Sequence, residues 1–185
     1  MANNLLVRGS PGSGKTTLAV KVAEDLTGLG FKVAGFVTEE IREGKTRLGF
    51  RIRDLRGGEA VMAHVGLRAG PRVGKYTVDV ETLERTALRA LDEVHGRADL
   101  VIVDEIGKME ALSAAFLKRV MELMDLPTPL LATIPKSDQS FVSSLLQRGD
   151  VSVYCIDRRN RERMKEVVEE DLLGILGHRR SPRTN

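Results

Sequence analysis

The sequence contains no tryptophan, and aromatic residues make up only 4% of it. A surface that stacks the bases of single-stranded nucleic acid needs more aromatic side chains than this. The formal net charge is +3, and Arg179, Arg180 and Arg183 of the C-terminal tail account for it. The rest of the chain is neutral by this count, so the sequence disfavours a nucleic-acid partner.

Cysteine and long apolar runs are also scarce. The single cysteine, Cys155, excludes an intrachain disulfide, and the apolar run around it predicts a buried strand residue rather than a nucleophile. No apolar stretch has the length of a transmembrane helix, and no signal peptide begins the chain, which predicts a cytoplasmic protein without a membrane partner. His64, His95 and His178 lack the spacing of metal ligands, so we expect them on the surface or in loops.

The overall composition is typical of one globular domain. Its 185 residues are 42% apolar and 30% charged, which is enough to bury a single substantial core. We therefore expect one domain over residues 1–176, a disordered basic tail at residues 177–185, and a monomer.

Apolar runs and helical periodicities alternate along the chain. Continuous or alternating apolar runs predict strands at residues 5–7, 32–38, 100–103, 130–134 and 152–156. Apolar residues at helical spacing predict helices at residues 15–28, 80–94, 112–123 and 140–148, and a last helix that starts near Asn160. This alternation indicates a three-layer α/β fold, in which a mostly parallel sheet is covered on both faces.

One segment, from about residue 38 to residue 65, departs from this pattern. Apolar side chains from Leu48 to Ile52 alternate with arginine and glycine, which is the period of a half-exposed strand. Turn signals at residues 43–45 and 56–58 flank this strand. We predict an antiparallel β-meander inserted into the parallel sheet.

The segment Gly9-Ser-Pro-Gly-Ser-Gly-Lys-Thr16 lies between a predicted buried strand and a helix. It fits G-x-x-x-x-G-K-[ST], a P-loop whose backbone N–H groups cradle phosphates at the start of a helix. Lys15 can span the β- and γ-phosphates, and the Thr16 hydroxyl is the expected Mg²⁺ ligand. The predicted nucleotide-binding residues of this loop are Gly9, Ser10, Pro11, Gly12, Ser13, Gly14, Lys15, Thr16 and Thr17.

The apolar strand at residues 100–103 ends in two acids. Ligands bind beyond the carboxyl ends of parallel strands, so Asp104 is expected near the Mg²⁺, which it can bind through a water. Glu105 lies one residue further toward the γ-phosphate and can polarise or deprotonate the attacking water. The predicted site residues of this segment are Val101, Ile102, Val103, Asp104, Glu105, Ile106, Gly107 and Lys108.

These two motifs together resemble the motifs of a known protein family. The segment Asp104-Glu-Ile-Gly-Lys-Met-Glu110, joined to the P-loop, resembles the small nucleoside-triphosphatase family of thermophilic bacteria and archaea, whose vertebrate members are called cancer-related nucleoside-triphosphatases. Further stretches that resemble family motifs lie at residues 35–42, 47–50, 73–79, 132–135 and 160–161, so the resemblance spans roughly residues 3–176. The chain departs from the family at Ala111-Leu-Ser113, where Leu-Phe-Ser is usual.

The resemblance implies a RecA-like or nucleotide-kinase-like sheet. It also implies slow hydrolysis of several nucleoside triphosphates (ATP, GTP, CTP and UTP) to the diphosphate and phosphate, with little discrimination between bases. No residue pattern in the chain reads a base by itself.

Several charged residues near the predicted site have two interpretations. Lys108 can stabilise transition-state charge at the γ-phosphate or be a solvated lysine at a helix start. Glu110 can cap the following helix or hold Lys108, and we favour such a structural role. Arg42 can pair with Glu39 or Glu40 or contact phosphate, because the strand that precedes these residues ends toward the nucleotide.

The arginines of two other segments also have two interpretations. Arg47, Arg51 and Arg53 line one face of a strand and can bind an anionic second ligand, although exposed strands carry such charges anyway. Asn160 and Arg161 start the last helix and are candidates for base or ribose contact, with a helix cap as the alternative for Asn160. One of Arg158, Arg159 and Arg161 can serve as an arginine finger, although a solvated face is the simpler interpretation.

Three functions fit the sequence. A phosphohydrolase would use Lys15 and Mg²⁺ to hold charge and Glu105 to orient water. A small-molecule or nucleoside kinase would use the same loop and a separate acceptor pocket, for which the meander is available. A regulatory switch would use nucleotide occupancy to change a surface.

Overall fold

The computed structural model describes residues 3–92, 97–137 and 140–180. In these residues, nine strands form one sheet and five α-helices pack on it. The strands are β1 (Asn4–Gly9), β2 (Val33–Glu43), β3 (Thr46–Asp54), β4 (Glu59–His64), β5 (Arg72–Val73), β6 (Tyr76–Val78), β7 (Leu100–Asp104), β8 (Leu130–Pro135) and β9 (Val151–Ile156). The helices are α1 (Lys15–Gly28), α2 (Val80–Asp92), α3 (Ala114–Met124), α4 (Ser140–Leu146) and α5 (Arg161–Arg180), and a short 3₁₀ helix spans Glu110–Leu112.

The strand order is β5-β6-β4-β3-β2-β7-β8-β1-β9. The strands β2, β7, β8, β1 and β9 run parallel to one another. All five residues of β7 are buried, because this strand is covered on both faces, and this explains its continuous apolar sequence. The predicted α/β fold with a mostly parallel sheet is confirmed, and the carboxyl ends of β1, β7 and β8 meet at one edge of the sheet.

Two layers of helices enclose the sheet. Helices α1 and α5 cover one face, where Leu18 and Val168 belong to a common buried cluster. Helices α2, α3 and α4 cover the other face, where Ala87, Phe116 and Val142 belong to the larger buried cluster. Each fully buried Leu, Val or Phe side chain contributes about 1.5–3 kcal/mol by its removal from water, so these two clusters hold the carboxyl edge of the sheet in place.

Strand β2 joins the parallel part of the sheet to the antiparallel part. Its residues 33–36 pair in parallel with β7, and its residues 36–43 pair antiparallel with β3. Strands β4, β6 and β5 then continue in antiparallel order up to Val78, whereas the sequence ended the meander near Val65. The sequence pattern missed β5 and β6 because strands of two and three residues are too short to show an alternation.

Two expectations about the C-terminal part are wrong. Cys155 is exposed rather than buried, because β9 is an edge strand and Val153 and Cys155 lie on a face of it that the helices leave uncovered. Helix α5 continues to Arg180, so residues 177–180 are helical and do not belong to a disordered tail. Residues 181–185 lie outside the described part of the chain.

Two of the three histidines lie in the described part of the chain. His178 is exposed on α5, and His64 is half-buried at the end of β4, where its Nδ1 accepts a hydrogen bond from the Gly66 N–H. His95 lies outside the described residues. Over the described ranges, every helix is too short or too polar to cross a membrane.

Candidate active site

The P-loop runs from the end of β1 to the first turn of α1. Gly14, directly before α1, has a φ of 105°, a conformation that residues other than glycine rarely adopt. Gly9 lies against β9, since a Cβ at this position would be 2.8 Å from the carbonyl oxygen of Ile156. Both glycines are therefore needed for the loop to close at the N-terminus of α1, where the helix dipole favours an anion.

The side chain of Lys15 folds over the inside of this loop. Its Nζ donates hydrogen bonds to the carbonyl oxygens of Gly9, at 3.0 Å, and Ser10, at 3.4 Å. Lys15 is buried, and the Oγ atom of Ser13 is buried beside it without a hydrogen-bond partner among the described residues. A buried ammonium and an unpaired hydroxyl in one loop are the groups that a phosphate would satisfy. Of the remaining predicted loop residues, Thr16 is half-buried, and the exposed ones are Ser10, Pro11, Gly12 and Thr17.

Asp104 is the centre of a buried hydrogen-bond network. Its Oδ1 accepts a 2.6 Å bond from the Thr133 hydroxyl, and its Oδ2 accepts bonds from the Thr38 N–H, at 3.2 Å, and the Thr38 hydroxyl, at 3.3 Å. The Thr16 hydroxyl also hydrogen-bonds this carboxylate. Complete burial raises the pKa of Asp104, and these hydrogen bonds and the nearby Lys15 oppose the increase. The two predicted Mg²⁺ ligands, Thr16 and Asp104, therefore lie close to each other.

Sequence reasoning missed the part of Thr133 in this network. Thr133 is fully buried near the end of β8 and lies opposite Asp104 in the parallel register. The available signal was a lone hydroxyl near the carboxyl end of the apolar run at residues 130–134. Thr38 ends the strand predicted at residues 32–38, a pattern that gives it no role, whereas its backbone and side chain both bind Asp104.

Glu105 and Glu110 form a second pair of carboxyl groups around Gly107. A Cβ on Gly107 would lie 3.1 Å from Oε2 of Glu110 and 3.3 Å from Oε1 of Glu105. Burial raises the pKa of Glu105, and the charge of Lys15 opposes this increase. Burial and the charge of Glu105 raise the pKa of Glu110 to about 8, so Glu110 keeps its proton at neutral pH.

Glu110 has a structural role, although not as a helix cap. Its Oε2 accepts a 3.1 Å hydrogen bond from the Gly107 N–H, which fastens the loop after β7. Ser113 caps α3 instead, since its hydroxyl accepts a 3.0 Å bond from the Phe116 N–H. Lys108 is exposed at the edge of a cavity that Glu105 and Glu110 also line.

The structure corrects the assignment of four residues to nucleotide binding. Each of them is at most 1% exposed, and their side chains pack in the core: Val101, Ile102, Val103 and Ile106. The physical reason is that Val101, Ile102 and Val103 lie in a central strand between two helical layers, and the Ile106 side chain belongs to the core cluster beside that strand. These four residues support the segment that carries Asp104 and Glu105 by packing in the core.

The charged residues of the antiparallel strands pair with one another. Glu39 accepts a 2.8 Å bond from Arg53, and Glu40 accepts a 2.6 Å bond from the Nε of Arg42. Arg47 also pairs with Glu40, and Arg51 pairs with Glu59 at 3.0 Å. These ion pairs favour the interpretation of the arginines as a charged strand surface over a site for an anionic second ligand.

The loop between β9 and α5 lies beside the P-loop. Asn160 closes this loop, because its Oδ1 accepts a 2.8 Å bond from the Asp157 N–H and its Nδ2 donates a 3.0 Å bond to the Cys155 carbonyl. A Cβ on Gly12 would lie 3.8 Å from a guanidinium nitrogen of Arg158, and a Cβ on Gly14 would lie 3.5 Å from Cδ of Arg161. A cavity of about 700 Å³ separates this loop from the P-loop, with Ser10, Cys155 and Asn160 among its lining residues.

Comparison with known proteins identifies relatives over most of the chain. The model of a family described as NTPase matches residues 4–169. The nucleoside-triphosphatase THEP1 of Thermofilum pendens is 43% identical over 178 residues, which cover 95% of this chain and 98% of that protein. The nucleoside-triphosphatase THEP1 of Pyrococcus abyssi is 46% identical over 172 residues, with 92% and 93% covered.

Two solved structures are similar to this one. The crystal structure of THEP1 from the hyperthermophile Aquifex aeolicus matches with a TM-score of 0.80 at 32% identity, and the match covers 94% of this chain and 98% of that chain. The solution structure of a human cancer-related nucleoside triphosphatase matches with a TM-score of 0.75 at 34% identity, and the match covers 99% and 100%. Because the family match and the relatives extend over most of its length, the chain belongs to the NTPase family of nucleoside-triphosphatases.

Proposed function

We propose that this protein is an Mg²⁺-dependent phosphohydrolase that cleaves the bond between the β- and γ-phosphates of nucleoside triphosphates, slowly and with little preference between bases. The observation that carries this proposal is the buried Asp104 carboxylate, whose hydrogen bonds come from Thr38 and Thr133 and whose charge Thr16 and the P-loop lysine also favour. The family supports hydrolysis of nucleoside triphosphates in general. The monomeric state and the cytoplasmic location expected from the sequence belong to the same proposal.

The donor set at the end of β7 suits a hard divalent cation. Thr16 and Asp104 would hold Mg²⁺, which prefers oxygen ligands and uses few protein groups besides phosphates and waters. A divalent ion held there would supply positive charge that offsets the negative charge developing on the phosphates. Thr38 and Thr133 orient the Asp104 carboxylate by three hydrogen bonds, a supporting role typical of groups around a metal ligand.

The chain supplies the other elements of phosphoryl transfer. The Lys15 ammonium holds the γ-phosphate and stabilises negative charge on it. Glu105 takes a proton from the attacking water, and its raised pKa brings it closer to neutral pH, where a general base is most effective. Lys108, exposed beside Glu105, can reach charge on the transferred phosphoryl group or remain solvated, and the two roles differ in their effect on turnover.

Weak base discrimination follows from the cavity of about 700 Å³ beside the P-loop, which we assign to the nucleoside. Both ends of the Asn160 amide are already bonded to the backbone, to the Asp157 N–H and to the Cys155 carbonyl. This side chain therefore holds the loop rather than distinguishing donors from acceptors on a base. We therefore expect base binding to depend little on the pattern of donors and acceptors that distinguishes one base from another.

The decisive experiment measures phosphate release from ATP, GTP, CTP and UTP with Mg²⁺, with wild type and Glu105→Gln in parallel. We expect slow release from all four in the wild type. In the variant we expect a loss of at least about 100-fold, in line with removal of a general base, and nucleotide binding within about threefold of wild type. Glu166→Gln, on the exposed face of α5, is the matched control.

Other outcomes have distinct meanings. Equal loss of binding and turnover in Glu105→Gln would assign Glu105 to the metal or to the fold instead of the water. Nucleotide binding by the wild type without phosphate release from any of the four would refute the phosphohydrolase.

A further inference from the structure

A second cavity, of about 320 Å³, opens beside Glu105 on the side of the antiparallel strands. Pro11 of the P-loop lines both this cavity and the larger one beside the β9–α5 loop. The P-loop therefore lies between two spaces, one next to the nucleoside site and one next to the general base. Hydrolysis itself needs only a water molecule at Glu105, whose share of liquid volume is about 30 Å³. The second cavity has the size of a small-molecule site.

The antiparallel strands build the outer wall of this cavity. Phe50 of β3, Met62 of β4 and Val73 of β5 line it, and Met109 lines it from the loop after β7. Phe50 is fixed by a T-shaped contact with Tyr76, with the ring centroids 5.1 Å apart. The part of the sheet beyond β2 thus adds apolar side chains to a cavity that the carboxyl groups of Glu105 and Glu110 also line.

The cavity also has polar lining residues. These are Thr38, Glu105, Lys108 and Glu110. Glu110 keeps its proton at neutral pH, so it adds a neutral polar group and no charge. An uncharged molecule with an apolar body and a hydroxyl directed at Glu105 fits this distribution.

We infer that this cavity binds a second substrate, an uncharged and partly apolar alcohol that accepts the γ-phosphoryl group in place of water. A bond forms between the hydroxyl oxygen of the alcohol and the γ-phosphorus. The bond from the γ-phosphorus to the β,γ-bridging oxygen breaks, and its electron pair stays on the nucleoside diphosphate. The hydroxyl proton passes to Glu105, so the products are a phosphate monoester and the diphosphate. This inference rests on the proposed nucleotide site and extends it to an acceptor.

The test measures how the phosphoryl group divides between water and alcohol. The enzyme is incubated with ATP and Mg²⁺ in the presence of benzyl alcohol or cyclohexylmethanol, with glycerol as a polar reference. ADP and phosphate are quantified together, and the ester is identified by ³¹P NMR. The ratio of ADP to phosphate is one for hydrolysis alone and does not depend on the overall rate. We expect benzyl alcohol or cyclohexylmethanol to raise it to about two, because an acceptor held beside the γ-phosphate competes with water through its high effective concentration.

Substitutions test whether the raised ratio of ADP to phosphate depends on this cavity. Val73→Phe fills the cavity and should return the ratio to one. Val61→Phe, on an exposed position of β4 that does not line the cavity, should leave it raised. Met109→Phe fills the cavity from the loop after β7 and replaces Val73→Phe if that variant does not fold.

Each remaining outcome is decisive. A ratio of one with both apolar alcohols, while phosphate is released, overturns the acceptor site and leaves the phosphohydrolase intact. A raised ratio that both cavity-filling variants leave unchanged overturns the location. Release of neither ADP nor phosphate overturns the proposed hydrolysis itself.

Discussion

The Thr133 hydroxyl donates a 2.6 Å hydrogen bond to Oδ1 of Asp104 from the neighbouring strand. The two residues are partners in the parallel register of β7 and β8, so the sheet itself determines their distance. Both are fully buried, and a hydrogen bond to a charged group in such surroundings is worth more than one on the surface. Thr133 thereby orients the carboxylate that we assign to Mg²⁺.

Thr133→Val removes this hydroxyl at nearly constant volume. We expect the Mg²⁺ concentration for half-maximal phosphate release to rise by about 10-fold, because groups that orient a metal ligand contribute this much to metal affinity. The measurement is phosphate release as a function of Mg²⁺ at saturating ATP. Thr133→Ser keeps the hydroxyl and should stay within about threefold of wild type. An unchanged Mg²⁺ dependence in Thr133→Val would contradict the orienting role.

Lys15→Ala tests the P-loop assignment. Lys15 is buried inside the loop, and its loss should reduce kcat/KM for ATP by more than about 100-fold, since one preorganised charge contributes this much to phosphoryl transfer. Lys21→Ala, further along α1 and half-exposed with an ion pair to Glu162 at 3.5 Å, is the matched control. Wild-type kinetics in Lys15→Ala would refute the site.

From the raised pKa of Glu110 we expect the stability of the protein to depend on pH. The pKa of Glu110 is raised from its ordinary value of 4.5 to about 8 by burial and by the charge of Glu105. The unfolded chain therefore releases this proton at lower pH than the folded protein does. The free energy of unfolding should fall as the pH rises from 4.5 to about 8, with a slope of up to about 1.4 kcal/mol per pH unit for one proton.

Glu110→Gln should remove this slope, because the amide has no proton to release and its oxygen still accepts from the Gly107 N–H. Urea unfolding between pH 5 and pH 8 measures the difference between the two proteins. Glu166→Gln, exposed on α5, should keep the wild-type slope. A slope that Glu110→Gln retains would assign the pH dependence to other groups.

The rate at which the Cys155 thiol is modified tests whether the nucleoside binds in the larger cavity. The thiol is exposed and lines the space between the P-loop and the β9–α5 loop. We expect saturating ATP with Mg²⁺ to slow modification by N-ethylmaleimide by about 10-fold, because a nucleoside in this cavity would cover most of its lining. Mass spectrometry of the intact protein follows the single cysteine, and Cys155→Ser gives the background. Equal rates with and without nucleotide would place the nucleoside elsewhere.

Contiguous residues predict the P-loop, Asp104 and Glu105 as site residues, because each belongs to a short segment that follows an apolar strand. Cys155 was misplaced because an apolar run gives the same pattern in a central strand and in an edge strand. The assignment of Val101 to nucleotide binding failed for a related reason, since a motif does not show where a strand leaves the core.

The amino-acid sequence by itself determined the α/β class, the P-loop segment and the adjacent carboxyl groups of Asp104 and Glu105 at the end of β7, because local periodicity and adjacent residues specify these features. Only the tertiary structure decided that Thr38 and Thr133 bind Asp104, since they are 66 and 29 residues away along the chain. It also decided that Glu110 is buried with a raised pKa, and that the strands beyond β2 enclose a cavity next to Glu105. Burial and the partners of a side chain depend on the register of strands that are distant in sequence, and no local pattern contains this information.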